Sequence, residues 1–312
     1  MRIERYEPEM RRRWDDFVRT SANGTFLLER GYMEYHADRF RDCSLLCLDE
    51  KDRIAGVLPA NIDGTTLYSH QGLTYGGWIS PCRHFPAGET EKLWTTFIDW
   101  MRGEGIRQLV YKPVPWIYCR QPAEDHEYWL WRAGARESVV QLSSVIMPDS
   151  PSVANETTRQ LVKAAAKNGI EIVESRDFDG FIAMVNDRIS ERYGATAVHT
   201  GAEMALLASR FPENIRLWTA RIGDEAVGGI LVYITPRCIH AQYITTTERG
   251  RNCGAVAALV EHIRRNVAAP HQYLDFGTSN EQAGQYLNLS LIAQKYGLGA
   301  RPILYRTLDL DL

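Results

Sequence analysis

The chain has 312 residues, 45% of them apolar and 24% charged, with a formal net charge of -3. That supplies apolar material for two cores of ordinary size and argues against a protein that coats duplex DNA. Positions 1–14 are charged throughout and no apolar run approaches the roughly 18 residues of a membrane span, so no secretory leader or spanning helix is expected and the cytoplasm is the expected compartment.

Along the first half, residues 10–20 predict a helix with Trp14, Phe17 and Val18 on one side, and residues 26–40 a second helix interrupted by Gly31. Residues 44–48 and 53–61 predict a hairpin, and residues 66–69 another strand. A glycine-rich crossover at 71–80 precedes a helix over 89–102, with Leu93, Phe97, Ile98 and Met101 as its stripe, and then a strand over 108–111. The second half predicts helices over 157–168, 179–193 and 203–210, and a strand or connector over 170–173. A hairpin over 216–222 and 226–235 turns at Gly223-Asp224. A strand over 239–245, a polar loop over 246–252 and a helix over 253–267 follow. Residues 273–276 predict a strand ending at Gly277, residues 283–296 a helix, and residues 303–305 a last strand. The cysteines at 43, 47, 82, 119, 238 and 253 lack the spacing of a metal knuckle and read as buried small hydrophobes.

The events of the two halves agree in order: hairpin, strand, loop, helix, strand, helix, then Gly134-Ala135-Arg136 in one and Gly299-Ala300-Arg301 in the other. Two prolines and several small polar residues between 147 and 155 mark the boundary, giving domains 1–150 and 151–312.

Asp275-Phe276-Gly277-Thr278-Ser279 and the later Lys295, Gly297, Leu298 and Gly299 resemble the closing segment of the FemAB-like branch of the GCN5-related N-acyltransferase (GNAT) superfamily. That segment commonly reads DFG-x-S, a spacer, then FK-x-G-F-G; here Gln294 and Leu298 stand where the aromatics would be. The resemblance implies an α/β fold of α+β mixed-sheet type with tandem duplicated GNAT-like domains, the first on the acceptor side and the second on the acyl-donor side. It also implies a coenzyme A thioester as co-substrate, cradled by the loop between the central strand and the next helix. Backbone amides and a helix N-terminus suit phosphate oxygens. The matching residues are Arg249, Gly250, Arg251, Asn252, Gly254 and Ala255, with the β-branched Val256 at the last small position.

Amide-forming acyl transfer needs a neutral amine, a proton acceptor and donors for the developing oxyanion. His240 alternates with Gln242 and Ile244 on one strand face and suits the acceptor role, although it reads equally as a hydrogen-bonded strand histidine. Glu248 is a second candidate, or a surface loop charge. Asp275 would orient the amine or accept bonds from the turn at Gly277 and Ser279. Lys295, placed by the resemblance toward the donor, would pair with phosphate or oxyanion, or simply complement its helix dipole. Tyr286 and Asn288 would add a polar wall, and His70, Tyr75 and Lys112 an acceptor surface in the first half. Nothing in the pattern asks for a metal.

Three functions stay open at this point: an N-acyltransferase using an acyl-CoA-type thioester and acting on an amine of a small molecule, sugar or peptide; a Fem-type transferase carrying an aminoacyl group from tRNA to a peptidoglycan-like precursor; and a binding module with a degenerate acyltransferase fold. The modest net charge makes tRNA the weaker donor expectation. Monomer and homodimer are both compatible with the sequence.

Overall fold

The computed structural model describes residues 1–83, 85–149 and 153–312. Contacts divide it into two compact units, Met1–Val140 with Tyr305–Leu312, and Gln141–Leu304. The boundary expected between 150 and 151 lies outside the described residues.

The first unit runs through β1 (Arg2–Arg5), α1 (Arg11–Thr20), α2 (Arg30–Met33), β2 (Leu45–Leu48), β3 (Ile54–Leu58), β4 (Asn61–Asp63), β5 (Thr66–Tyr68), α3 (Ala87–Gly103), β6 (Gln108–Tyr111), α4 (Asp125–Arg132) and the start of β7 (Arg136–Ile146). β1, β2 and β3 form an antiparallel sheet, whereas β5 and β6 are parallel because α3 supplies the crossover. The α3 stripe of Leu93, Trp94, Phe97 and Met101 enters a core with Trp78, Leu109 and Tyr111. Phe97 is wholly buried, so Phe97→Ala is expected to remove about 3–5 kcal/mol.

The helix expected over 26–40 is broken. Short 3-10 turns at Phe26–Leu28 and Glu34–His36 flank the single turn of α2, and Glu29 is extended. Leu27, Leu28, Tyr32 and Met33 are all buried, so this stretch presents no solvent face of the kind a regular amphipathic helix needs. Helix α4 and strand β7 were absent from the sequence reading. Cys82 is exposed, unlike the buried thiols of Cys43, Cys47 and Cys238.

The second unit takes the rest of β7, then α5 (Glu156–Lys167), β8 (Ile170–Ser175), α6 (Phe178–Tyr193), α7 (Gly201–Arg210), β9 (Ile215–Ile222), β10 (Glu225–Ile234), β11 (Cys238–Thr246), α8 (Glu248–Asn252), α9 (Ala255–His262), β12 (Tyr273–Thr278), β13 (Asn280–Glu281), β14 (Tyr286–Leu287), α10 (Leu289–Gly297) and the start of β15 (Arg301–Asp311). The end of β15 counts with the first unit, where Leu308–Asp311 pair with β6. Strand order in this unit is β7-β12-β11-β10-β9-β8.

Local chemistry sets these elements. Gly223, at φ +58°, turns the β9–β10 hairpin. Thr200 and Glu203 form a reciprocal capping box that starts α7. The apolar run of β10 is buried from Val227 to Tyr233, as a strand flanked on both edges and covered on its faces requires. Ile230, Val232, Ile239, Leu259, Val260, Ile263 and Leu274 form the core beneath α9.

Two expectations here are corrected. Residues 248–252 form helix α8 rather than a loop, because the Thr247 side chain accepts from Gly250 N and caps the turn. The helix expected over 283–296 begins only at Leu289, after the β13–β14 hairpin. Ala283 there has φ +50°, outside the helical region.

Candidate active site

β11 and β12 are parallel neighbours, α9 being their crossover, and their ladder runs from Cys238↔Tyr273 to His240↔Asp275. Past that point, residues 241–246 of β11 and Phe276 and Thr278 of β12 line a cleft of about 480 Å³. Leu161, Arg188, Arg251, Gly254, Val256, Gln294 and Lys295 complete much of its wall. A parallel pair opening at its C-terminal ends beside a helix N-terminus is a common place for a ligand in an α/β fold.

Lys295 comes from the last turn of α10. It is only 8% exposed, and its ammonium donates to the carbonyls of Gly277 (2.8 Å) and Thr278 (2.9 Å). Burial lowers its pKa to about 8 against the opposing pull of Asp275. An ammonium has three donors; the third has no protein partner among the described residues.

Asp275 is wholly buried. Its Oδ1 accepts from Ser143 Oγ (2.6 Å) and Gly277 N (3.0 Å), and its Oδ2 lies 2.8 Å from Nδ1 of half-buried His240. Because a carboxylate only accepts, Nδ1 carries the proton and Nε2 is the basic atom of the ring. Gly277, at φ +68°, brings the backbone past the His240 ring: a Cβ there would stand 3.3 Å from Cε1.

The phosphate-loop candidates divide. Arg251, Gly254 and Val256 line the cleft. Gly254 has φ +84°, and a Cβ on it would meet Leu161 O at 2.4 Å. Arg249 pairs instead with Glu225 at the surface, and Ala255 is wholly buried in the core. Gly250 abuts β10, where a Cβ would meet Val227 O at 2.0 Å. Asn252 and Glu248 are exposed on α8. Three amides of this stretch are already used: Arg251 N donates to Thr247 O, Cys253 N to Arg249 O and Gly254 N to Arg251 O.

Of the other candidates, Asn288 caps α10, its Oδ1 accepting from Leu291 N (3.0 Å), while Tyr286 is exposed on β14. In the first unit His70 lines a separate cavity of about 580 Å³ with His36, Phe40 and Arg30. Its φ is +71°, and burial holds its pKa near about 3. Tyr75 is buried, its hydroxyl 3.2 Å from Thr25 Oγ1. Lys112 is half-buried, and desolvation lowers its pKa.

Arg188, Gln242 and Tyr243 also line the cleft, and the Tyr243 hydroxyl lies 2.8 Å from Nδ1 of buried His199. Sequence reasoning missed Arg188, Tyr243 and His199 as site residues and named Gln242 only as a face neighbour of His240. The one available signal was the alternation of β11, which a bulge disturbs.

Among the described residues no cluster of three or more His, Cys, Asp or Glu is arranged to hold a metal, and no helix is long and apolar enough to cross a membrane.

Residues 152–286 match the family profile described as acetyltransferase (GNAT) domain. No curated protein matches the sequence. Solved structures share the fold at low identity. The crystal structure of FemX is 12% identical with a TM-score of 0.68, the match covering 100% of this chain and 98% of that one. L-PGS from Bacillus licheniformis is 10% identical with a TM-score of 0.59, covering 98% and 91%. A tandem GNAT protein from the clavulanic acid biosynthesis pathway is 13% identical with a TM-score of 0.50, covering 99% and 98%. Residues 152–286 are thus similar to a GNAT acetyltransferase domain, on a mixed α/β fold that FemX shares.

Proposed function

We propose that the second unit transfers an acyl group to an amine in the cleft between β11 and β12, and that the donor is an aminoacyl ester on tRNA, as in Fem-type transferases. The observation that carries acyl transfer is Lys295: a desolvated ammonium, fixed by two carbonyls and with a donor to spare, suits a developing oxyanion. The choice of donor rests on α8. A pyrophosphate nest needs unused amides, and here those of Arg251, Cys253 and Gly254 are consumed by a helical turn, with Val256 crowding the next position. The fold likeness to FemX supports the same choice.

In this reading the amine nitrogen bonds to the acyl carbon and the ester C–O bond breaks. Lys295 stabilises the oxyanion between those events. Nε2 of His240, oriented by Asp275, takes the proton the amine loses and returns it to the ribose oxygen of the carrier, which leaves as the alcohol. Arg188 and Arg251 hold carrier or acceptor phosphate. The acceptor is an amino group on a peptidoglycan-like precursor or a related peptide or sugar. The echo of β5–α3–β6 in β11–α9–β12 supports a duplicated origin for the two units.

The α9 N-terminus favours a second reading. Gly254, Val256 and Ala257 line the cleft beside Arg251, a setting that suits the phosphate of a coenzyme A thioester as well. Titration calorimetry separates the two. Micromolar binding of aminoacylated tRNA, weakened by Arg251→Ala and Lys295→Ala, with no heat from coenzyme A or acetyl-coenzyme A, is expected. Micromolar acetyl-coenzyme A binding weakened by the same substitutions would replace the tRNA donor with the thioester.

A further inference from the structure

We infer that Gln242 holds the attacking amine, its Oε1 accepting an N–H of the neutral nucleophile; this rests on the acyl-transfer reading above. β10 and β11 pair in register up to Leu231↔Tyr243 and resume at Val232↔Ala241, so Gln242 is the extra residue of a β-bulge. A bulge aims a side chain where regular pleating would not. Gln242 lines the cleft, and its Oε1 is covered yet has no hydrogen-bond partner among the described residues. The neighbouring Tyr243, which lines the same cleft, has its hydroxyl fixed 2.8 Å from Nδ1 of His199. A covered acceptor left unpaired is unfavourable, and its presence in a cleft points to a ligand that brings the donor.

The lining narrows the kind of donor. Arg188, Arg251 and Lys295 face this cleft, and no Asp or Glu is among the described residues that line it. Three cations oppose entry of an ammonium and favour the neutral amine, the form that has the lone pair needed for attack. A carboxamide oxygen binds one N–H without the full charge that would draw a proton onto the nitrogen. One N–H fixed on Oε1 turns the lone pair toward a single side, so that the bond to the acyl carbon forms from an oriented nucleophile. The substrate class that fits is a primary amine, neutral when bound, on a molecule whose anionic group the two arginines receive.

The test uses the full chain, with Gln242→Leu and Gln242→Glu. Bulk tRNA charged with radiolabelled amino acids, and acetyl-coenzyme A in parallel, are offered with Nα-acetyl-lysine or glucosamine 6-phosphate, each a primary amine with an anionic group, as acceptor. Gln242→Leu is expected to raise the amine KM about tenfold, the loss of one hydrogen bond, with the donor KM unchanged. Gln242→Glu is expected to move the acidic limb of the pH–rate profile up by about one pH unit, because a carboxylate stabilises the ammonium. An active wild type with an unchanged amine KM in Gln242→Leu overturns the assignment of Gln242 alone. A folded wild type that transfers to none of these amines from either donor overturns the acyl-transfer reading, and the inference falls with it.

Discussion

Nδ1 of His240 lies 2.8 Å from Oδ2 of Asp275, and that carboxylate is sealed from solvent under two further donors, Ser143 Oγ and Gly277 N. A carboxylate so enclosed sets the tautomer and tilt of the imidazole. It also ties β12 to β7 and to the turn that presents Gly277 O to Lys295.

Asp275→Ala leaves three donors without their acceptor, buried Ser143 Oγ and part-buried Gly277 N and His240 Nδ1, and each unmet buried group carries a penalty of about 1–3 kcal/mol. A loss of about 3 kcal/mol or more is expected in urea unfolding. Asp275→Asn keeps the shape and should lose less. It should also shift His240 away from the Nδ1-protonated tautomer, read from the ring nitrogen resonances. An unchanged tautomer would remove the orienting role from Asp275.

Lys295 makes a prediction in pH. Its folded pKa, about 8, lies below the ordinary 10.5, so between those values the unfolded chain binds more protons and stability rises with pH. Below about pH 8 the full penalty of a buried ammonium is present, on the order of 3 kcal/mol. The stability difference between wild type and Lys295→Met should therefore change in favour of the wild type from pH 8 to 10.5 and be flat at pH 6–7. Activity should move oppositely, falling as pH rises through about 8 and the oxyanion loses its ammonium. A wild-type rate that continues to climb past pH 9 would exclude Lys295 as an electrostatic group.

Much of the fold was legible because it rests on local pattern. The stripe of α3, the glycine turn of the β9–β10 hairpin and the acid-bearing strand at Asp275 declare themselves within a few residues. The donor loop was not legible. Thr247 to Asn252 is polar enough to read as coil, and only the Thr247 cap winds it into α8. Lys295 and Asp275 could be named from their neighbours in sequence. That the lysine binds Gly277 O and Thr278 O, and that Asp275 is closed off by Ser143, depend on strand order and on β7, which the sequence reading lacked. Gln242 was hidden for a related reason: a bulge exists only in the pairing of two strands, and alternation along β11 alone cannot reveal it.

Arg251 tests the donor site without disturbing the core. It is exposed and lines the cleft, so Arg251→Ala should leave the unfolding midpoint within about 0.5 kcal/mol of the wild type. Loss of a charge-assisted contact should weaken donor binding about tenfold. The dependence of log affinity on log salt should also flatten, by roughly 0.7 for one phosphate contact on a single strand. An unchanged salt slope would mean that Arg251 touches no phosphate of the donor.

Gly254 and Gly250 make a matched pair. A Cβ on Gly254 would meet Leu161 O at 2.4 Å with φ at +84°, and one on Gly250 would meet Val227 O at 2.0 Å. Both contacts are with backbone, which cannot rotate away, so Gly254→Ala and Gly250→Ala should each destabilise by about 1–3 kcal/mol. Only Gly254 lines the cleft, where it opens α9. Measured well below either melting temperature, Gly254→Ala should raise the donor KM several-fold, because α5 or the first turn of α9 must give way to the new methyl. Gly250→Ala should leave that KM near the wild-type value. Equal effects of the two on donor KM would mean that α8 and the start of α9 move as one body, and that donor binding responds to the packing of that body on β10 rather than to the cleft wall at Gly254.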